Sequence, residues 1–444
     1  MGHIASTLSE ARTVISGPIA RSAISGMVLR LSGMALLFAQ AILAAQMLGA
    51  ERYGIVSILL AIAHVAAVVV LCGFANFAVA EIPRRIQEGV SGVVPAFLHH
   101  SFSRAALACL LVLPITGVVI LAILDDAPPL IALLGVAIVP LLAALQLLRG
   151  VALGLERPIQ AQLPIEIVRP TLFLTALITL WLTLEVNTLN FLVFYIASAV
   201  AALLIAGSSV KTGGTAAGPA NPQEAAALTS EWDRATLPFL GMHLAAILQV
   251  ELATLMLGIF ASPEAAGLFQ PIGRISVVLL LPAYALNLRF NPRIASLHAQ
   301  GQQADIARLS RKYTWASMAV MIAVGIAIGL ASPWLLLLFG QEFVVGVPLV
   351  WIVVAGRIAM TAFGPALPLL TMMGQTGKAL SATALSVVVE VVLAAVLILN
   401  FGLMGAAFAV AAGMSVRGLL LALVSKRACG IGLRAFWGID KQGN

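Results

Sequence analysis

The sequence predicts an all-α integral membrane protein with twelve transmembrane helices arranged in two lobes of six. Three observations carry this prediction. Charged residues make up 10% of the chain against 61% hydrophobic residues, long apolar runs recur along its whole length, and basic residues fall mainly on one side of the predicted membrane. A soluble domain carries about 25% charged residues, because polar side chains must cover its water-facing surface. The composition therefore excludes a soluble protein.

The apolar runs have the length and pattern of transmembrane helices. They reach roughly 20 residues without the alternation of a barrel strand, and about 20 apolar residues let a helix cross the hydrocarbon core. A helix also satisfies its own backbone polar groups in lipid. The predicted spans cover residues 25–48, 53–76, 102–124, 128–150, 165–184 and 189–209, and then 236–260, 266–290, 313–338, 347–372, 378–400 and 403–425.

A repeated motif divides these spans into two sets. The segment 47–54 joins spans 1 and 2 through Leu-Gly, a short acidic turn and a second glycine, and the segment 256–267 repeats this order in the second half. We interpret both segments as outward-facing turns that mark an outer gate. The predicted domains are an N-terminal lobe over 1–209, a polar cytoplasmic linker over 210–235, and a C-terminal lobe with a cytoplasmic tail over 236–444.

The basic residues fix the orientation of the spans. With the N-terminus in the cytoplasm, twenty lysines and arginines fall in inward segments and one, Arg52, falls outside. Positive charge concentrates on the cytoplasmic side of membrane proteins. The sequence therefore predicts a multi-pass protein of the bacterial cytoplasmic membrane with both termini in the cytoplasm. The net charge of +7 follows from this bias, and we expect no nucleic-acid partner because the bases form no single patch.

The sequence does not predict an enzyme. The outer loops are all short, which leaves no room for the extracytoplasmic catalytic domain of a membrane glycosyltransferase, polymerase or ligase. The three cysteines are scattered without metal-binding or redox spacing. We expect no catalytic residue, no metal site and no cofactor.

Apart from the charges near the span ends and the Glu166–Arg169 pair at the start of span 5, six charged side chains fall inside predicted spans. Each of them costs about 3 kcal/mol at mid-bilayer and needs a partner or a wet cavity. Glu251 and Arg274 share a depth on consecutive helices, and Arg357 and Glu390 do the same. Two interpretations stay open for these four residues: structural ion pairs, or charges that line a cavity. Prolines inside the spans kink helices and open a cavity or hinge; they include Pro282, Pro365 and Pro368.

The other two intramembrane arginines have no acid at their depth. Arg30 lies about five residues inside the cytoplasmic end of span 1, from where it can extend to the interface, and Arg417 lies about eight residues inside that of span 12. Because guanidinium groups bind phosphate oxygens bidentately, such cations indicate a phosphate-bearing ligand that enters from the cytoplasm. His243 in span 7 is either a hydrogen-bonded structural residue or a site of proton coupling.

Short motifs recur in a fixed order along essentially the whole chain. They lie at 48–54, 148–156, 256–275, 291–297, 309–312, 339–343, 374–377 and 400–407. In their order and spacing the chain resembles the oligosaccharide and polysaccharide flippases of the MOP exporter superfamily, the Wzx-like or PST-type proteins, which are related to the lipid II flippase and the MATE drug exporters. Two features depart from the pattern: Glu390 is not a family-wide acid, and span 1 lacks the coupling aspartate of many MATE exporters.

The resemblance implies a V-shaped bundle with a cavity between spans 1–6 and 7–12 that works by alternating access. It further implies a flippase that moves a polyprenyl-pyrophosphate-linked oligosaccharide from the inner to the outer leaflet for exopolysaccharide or O-antigen biosynthesis. Arg30 and Arg417 first, and Arg274 and Arg357 second, are the cations expected to bind the pyrophosphate. The implied partners are the linked oligosaccharide, membrane lipids and the polysaccharide polymerase or export machinery.

Two alternatives stay open. One is a cation-coupled MATE-type exporter of small molecules, for which Glu251, Glu390 and His243 are the coupling candidates. The other is a non-transporting scaffold of a polysaccharide assembly complex. An exporter of cations should have a net acidic cavity, whereas the spans contain four bases against two acids, and this balance favours an anionic ligand.

Overall fold

The computed structural model of the protein describes residues 18–90, 92–125, 128–183, 186–211 and 222–438. Within these ranges the chain is almost entirely helical and contains no strand, as an all-α membrane protein requires. A π-helical segment at Leu163–Val168 and a 3-10 segment at Gln341–Gly346 interrupt the series. In chain order the α-helices are α1 Pro18–Val70, α2 Phe74–Gln87, α3 Val93–Ile123, α4 Pro129–Gly154, α5 Pro158–Gln162, α6 Arg169–Thr183, α7 Thr188–Lys211, α8 Pro222–Ala235, α9 Leu237–Phe260, α10 Pro263–Val277, α11 Leu280–Ala299, α12 Gln303–Leu337, α13 Val347–Ala362, α14 Ala366–Met372, α15 Thr376–Cys429 and α16 Leu433–Trp437.

Ten helical segments of the described chain are long and apolar enough to cross a membrane. Two of them are far longer than one crossing needs: Leu29–Val70 has 42 residues and Thr376–Cys429 has 54, against about 20 for a single span. Each contains one glycine with non-helical backbone angles, Gly49 (φ 71°, ψ 170°) in the first and Gly402 (φ 54°, ψ −129°) in the second. Both glycines lie where the sequence predicts a turn between spans, and the count of twelve crossings stays a prediction.

The turn at Gly402 occupies a single residue because only glycine adopts its backbone angles without strain. Just beyond it, a Cβ atom added to Gly405 would lie 2.0 Å from the carbonyl oxygen of Leu397. The two arms of α15 therefore pack backbone against backbone next to the turn, which small residues permit in membrane helices.

Two predicted spans are each divided in the structure. Span 8, predicted over 266–290, breaks between α10 and α11. The cause is Pro282, which has no N–H to donate to the carbonyl of Val278. That carbonyl instead accepts from the N–H of Leu281 at 3.2 Å. Span 10, predicted over 347–372, breaks between α13 and α14. There Gly364 has a φ of 78°, and Pro365 disfavours helical angles at the residue before it.

The chain divides into two compact units. Unit 1 comprises the described residues of Met1–Met47, Ala66–Leu121 and Asp126–His243. Unit 2 comprises the described residues of Leu48–Val65, Ala122–Asp125 and Leu244–Asn444.

In unit 1, the described part of the predicted linker forms a helix, α8, that is anchored by a buried tryptophan. Trp232 is fully buried, and its Nε1–H donates to Oε1 of Glu81 at 2.9 Å. Arg85 bridges Glu81 and Glu231, donating to each at 2.6 Å. Burial alone would lower the pKa of the Arg85 guanidinium, but hydrogen bonds to the two carboxylates raise it above its ordinary value, so this group stays charged.

A second set of contacts continues this anchor one residue along α8. The carboxylate of Asp233 contacts Nε2 of His100 at 2.9 Å and accepts from the guanidinium of Arg104. The composition of the predicted linker did not show this structure, because its polar and acidic residues are equally typical of a solvated segment. Here they supply partners for bases of α2 and α3.

In unit 2, the two repeated motifs contact each other directly. A Cβ atom added to Gly54 would lie 1.7 Å from the carbonyl oxygen of Pro263, and one added to Gly267 would lie 2.0 Å from that of Ala50. The pair of glycines thus permits two backbones to touch. A third predicted motif joins them next to the break at Gly49, because the N–H of Ala50 donates to the carboxylate of Glu342 at 2.8 Å.

Candidate functional site: a cationic pocket in unit 2

Unit 2 contains a cavity of about 420 Å³ bounded by α9 and α11–α15. Its volume lies in the range of small-molecule sites, which is roughly 300–1,000 Å³. Both helix breaks described above open onto it, since Leu280 and Pro282 line it from one break and Gly364 and Pro365 from the other. Discontinuous membrane helices are a common way to build a binding site within the bilayer. Most of the lining is apolar, and its polar side chains are Gln249, Asn287, Tyr313, Ser317, Arg357, Thr361, Glu390 and Arg417.

Arg417 and Glu390 lie on the two arms of α15. Glu390 is 6% exposed and lies against Gly413, where an added Cβ would come within 2.6 Å of Glu390 Cγ. Arg417 is one helical turn beyond Gly413 on the same face and interacts electrostatically with Glu390. Its Nη1 donates to Oε1 of Gln249, while its Nε is buried without a hydrogen-bond partner among the described residues.

Arg357 supplies the second cation of the pocket. It lies on α13, and its Nη2 donates to Oγ of Ser276 at 3.2 Å. One turn further along α13, Thr361 also lines the pocket, and its hydroxyl donates to the carbonyl of Arg357 at 2.9 Å. This bond turns the threonine hydroxyl toward its own helix. Arg357 therefore supplies the charge on this wall.

The three charged groups of the lining are two guanidiniums and one carboxylate, a formal charge of +1. In a mostly apolar surrounding, each charge interacts more strongly than it would in water. Guanidinium groups present paired N–H donors that match the oxygens of phosphate or carboxylate. The pocket is therefore suited to an anionic ligand, and phosphate oxygens fit the geometry of its donors.

A neutral polar group forms another part of the wall. The hydroxyl of Tyr313 on α12 donates to Oδ1 of Asn287 on α11 at 2.8 Å. The ring of Tyr313 packs against Phe290, with ring centroids 4.4 Å apart. The amide and hydroxyl together offer hydrogen bonds of the kind that a sugar hydroxyl uses.

The structure gives Glu251 a partner other than the predicted Arg274. Its Oε1 lies 2.9 Å from Nδ1 of His64, and Arg274 is exposed on α10. Depth along the helix placed Glu251 and Arg274 at the same level but did not give the direction of either side chain. His64 was missed as a partner because its span is distant in sequence. Neither Glu251 nor Arg274 lines the pocket.

The remaining predicted residues lie in unit 1. Arg30 is exposed on α1, and His243 is half-buried on α9 at the last position of that unit. Of the four predicted cations, the structure thus brings Arg357 and Arg417 together in one pocket. Sequence reasoning missed Gln249 and Asn287, although an amide inside an apolar span is itself a signal of a polar partner or a cavity.

No family model matches the chain. A segment of 166 residues is 26% identical to the probable low-salt glycan biosynthesis flippase Agl15 of Haloferax volcanii. The aligned segment covers 37% of this chain and 35% of that protein. The chain therefore aligns with about a third of the length of this curated relative.

Solved structures match over nearly the whole chain. The inward-facing conformation of a multidrug resistance MATE family transporter of the MOP superfamily superposes with a TM-score of 0.71 at 14% identity, covering 90% of this chain and 99% of that one. The inward closed conformation of the lipid II flippase MurJ gives 0.69 at 12% identity, covering 94% and 90%. These likenesses agree with the resemblance carried by the sequence motifs, and the chain shares the fold of these two structures.

Proposed function

We propose that this protein is a flippase that carries a polyprenyl-pyrophosphate-linked oligosaccharide from the inner to the outer leaflet of the bacterial cytoplasmic membrane by alternating access. The observation that carries the proposal is the cationic pocket of unit 2, whose charged groups are Arg357, Arg417 and Glu390. The curated relative is named as a glycan biosynthesis flippase, and MurJ as a lipid II flippase. Both names support this class of substrate.

The chemistry of the pocket matches a diphosphate better than a cation. A diphosphate diester carries two negative charges, and the two guanidiniums supply two positive ones with paired donors. The buried Nε of Arg417 has no hydrogen-bond partner among the described residues, so a phosphate oxygen would satisfy a donor that otherwise costs free energy. The amide and hydroxyl of Asn287 and Tyr313 would then face the linked sugar, while the lipid tail stays in the bilayer.

The proposal includes the orientation and the partners. Both termini would lie in the cytoplasm, the predicted lobes over 1–209 and 236–444 would open alternately, and Arg30 and Arg274 would guide the anionic head outside the pocket. Other partners would be membrane lipids and the polymerase or export machinery that uses the translocated oligosaccharide.

The test is lipid scrambling by the purified protein in liposomes. A fluorescent lipid-linked oligosaccharide is incorporated, and the fraction accessible from outside is followed in time for the wild type, Arg417→Gln and Arg417→Lys. Loss of a charge-assisted hydrogen bond costs about 1.5–3 kcal/mol, so we expect Arg417→Gln to slow translocation roughly 10- to 100-fold. Arg417→Lys should recover part of the rate because it keeps the charge but not the paired donors.

The matched control is Arg308→Gln, which removes an arginine from the surface of α12. Arg308 is 62% exposed and pairs with Asp305 at 3.5 Å, an exposed pair of small energetic value. Wild-type scrambling by Arg417→Gln at equal protein levels would refute the assigned role of the pocket. Absence of scrambling by the wild-type protein would favour a non-transporting scaffold of a polysaccharide assembly complex.

A cation-coupled exporter of small molecules is the second candidate. The observation that favours it is the presence of Glu390 inside the pocket, together with the MATE transporters among the matched structures. In that case Glu390→Gln should abolish uptake of a cationic dye into inverted vesicles, with Glu251 and His243 as further coupling residues. Dye uptake that is absent from wild-type vesicles under proton and sodium gradients would exclude this candidate.

A further inference from the structure

Glu390 is a carboxylate placed among the groups of a pocket suited to anions. We propose that Glu390 is an internal counter-anion, which balances the charge of Arg417 until the diphosphate arrives and then loses its own charge by taking up one proton from water. The inference rests on the proposed function for the identity of the ligand. Beyond that function, it names the proton as the ion coupled to diphosphate binding and assigns this coupling to Glu390.

The position of Glu390 is fixed by the packing of α15 on itself. Gly413 is the residue that gives it room, because any Cβ there would lie 2.6–2.8 Å from the carboxylate end of its side chain. Arg417 projects from the same face one turn further along. The two arms of α15, which meet at the Gly402 turn, therefore place the carboxylate and the guanidinium in the same pocket.

The other groups that face Glu390 decide what happens when a second anion enters. The cavity lining contributes Arg417 from α15 itself, Arg357 from α13 and Tyr313 from α12. The polar side chains contributed by α9 and α11 are the neutral Gln249 and Asn287, and the residues from α14 carry no titratable group. Two cations thus face one carboxylate.

A bound diphosphate would bring two negative charges next to a third on Glu390. Like charges in a low-dielectric site disfavour ionisation, and the group that can neutralise itself is the carboxyl. A phosphate diester stays ionised because it lacks the second ionisation, near pH 6, of a phosphomonoester. The proton therefore goes to Glu390, the diphosphate balances the charge of Arg417 in its place, and release of the ligand returns the proton to water.

The experiment measures proton uptake on binding. The probe is citronellyl diphosphate-linked glucose, a soluble diester, titrated calorimetrically into the detergent-solubilised full chain at about pH 8 in two buffers of different ionisation enthalpy. We expect the wild type to take up a substantial fraction of one proton per ligand, and its affinity to weaken as pH rises. Glu390→Gln should bind with no proton uptake and with an affinity independent of pH.

Two further variants locate the effect. Glu390→Asp keeps a titrating carboxyl and should retain proton uptake, which separates the charge from the shape of the side chain. Glu251→Gln removes the carboxylate of the pair with His64, which does not line the pocket, and should leave proton uptake at the wild-type value. Thermal unfolding of each variant identifies any that fails to fold.

The outcomes separate the inference from the proposed function. Binding by the wild type without proton uptake, or equal uptake by Glu390→Gln, overturns the counter-anion role and leaves the diphosphate site standing. If Glu251→Gln loses proton uptake, the coupling belongs to the pair with His64, and the counter-anion role of Glu390 is again overturned. Absence of wild-type binding overturns the proposed ligand class, and with it the counter-anion role of Glu390.

Discussion

Replacing Gly267 with alanine should destabilise the contact between the two repeated motifs of unit 2. An ideal Cβ at this position would lie 2.0 Å from the carbonyl oxygen of Ala50 and 2.9 Å from the backbone nitrogen of Gly54. Ordinary contacts begin near 3.4 Å, so the two backbones must separate by about 1.4 Å. The obstacle is backbone on both sides, and no side-chain rotation relieves it.

The magnitude follows from two opposing effects. Overpacking a well-packed contact costs about 1–3 kcal/mol and occasionally more, whereas alanine gains about 0.8–1 kcal/mol over glycine within a helix. Because the overlap here is with backbone, we place the packing cost at the upper end. The net expectation is a loss of about 2 kcal/mol.

The assay is thermal unfolding in detergent, with Gly273→Ala as the matched control. Gly273 lies on the same helix, α10, and a Cβ there meets nothing within 4 Å. This control should be neutral or more stable than the wild type, and Gly267→Ala should melt several degrees lower. Equal melting temperatures for the two variants would refute the close backbone approach of the motifs.

Three more substitutions test contacts elsewhere in the chain. Trp232→Phe keeps a buried ring but removes the donor that bonds Glu81 at 2.9 Å. We expect a loss of about 1–3 kcal/mol of stability, measured as faster limited proteolysis of α8. An unchanged digestion rate would contradict this expectation. Gly402→Ala meets no atom within 4 Å, so its cost is backbone strain alone, about 1–3 kcal/mol in thermal unfolding. Tyr313→Phe removes the donor to Asn287 at 2.8 Å and should weaken binding of the sugar-linked diphosphate several-fold while leaving that of a sugar-free isoprenyl diphosphate unchanged.

Much of the fold follows from hydropathy and charge. Helices α4, α7 and α9 begin and end within a few residues of the spans predicted over 128–150, 189–209 and 236–260. These segments are predictable because an apolar run long enough for the bilayer has no other stable conformation in lipid.

The breaks in the helices were harder to place. Pro282 and Pro365 indicated kinks, but hydropathy continues through both breaks and hid the division of spans 8 and 10. Helix α8 was hidden for the opposite reason. Its polar composition predicts a solvated linker, whereas tertiary contacts through Trp232 and its flanking acids hold it as a helix.

The charged residues of the pocket were predictable from the sequence, but their neutral neighbours and the pairing of the charges were not. The cost of a charge in lipid singled out Arg357, Glu390 and Arg417 from the sequence alone. Depth along each helix then suggested pairs between neighbouring spans. The direction in which a side chain points around its helix depends on packing. The sequence therefore did not predict the pair of Glu251 with His64, which only the structure shows.

The single-residue turn at Gly402 fixes how the two arms of α15 are aligned at the pocket. Glu390 stands twelve residues before it and Gly413 eleven residues after it, so at 1.5 Å per residue the two positions lie about 18 Å and 16 Å from the turn along their arms. A loop of variable length would let the arms slide, whereas one glycine fixes their register. Inserting a single residue there would rotate one arm by about 100° and carry Glu390 off the glycine that gives it room, without altering any residue of the pocket itself.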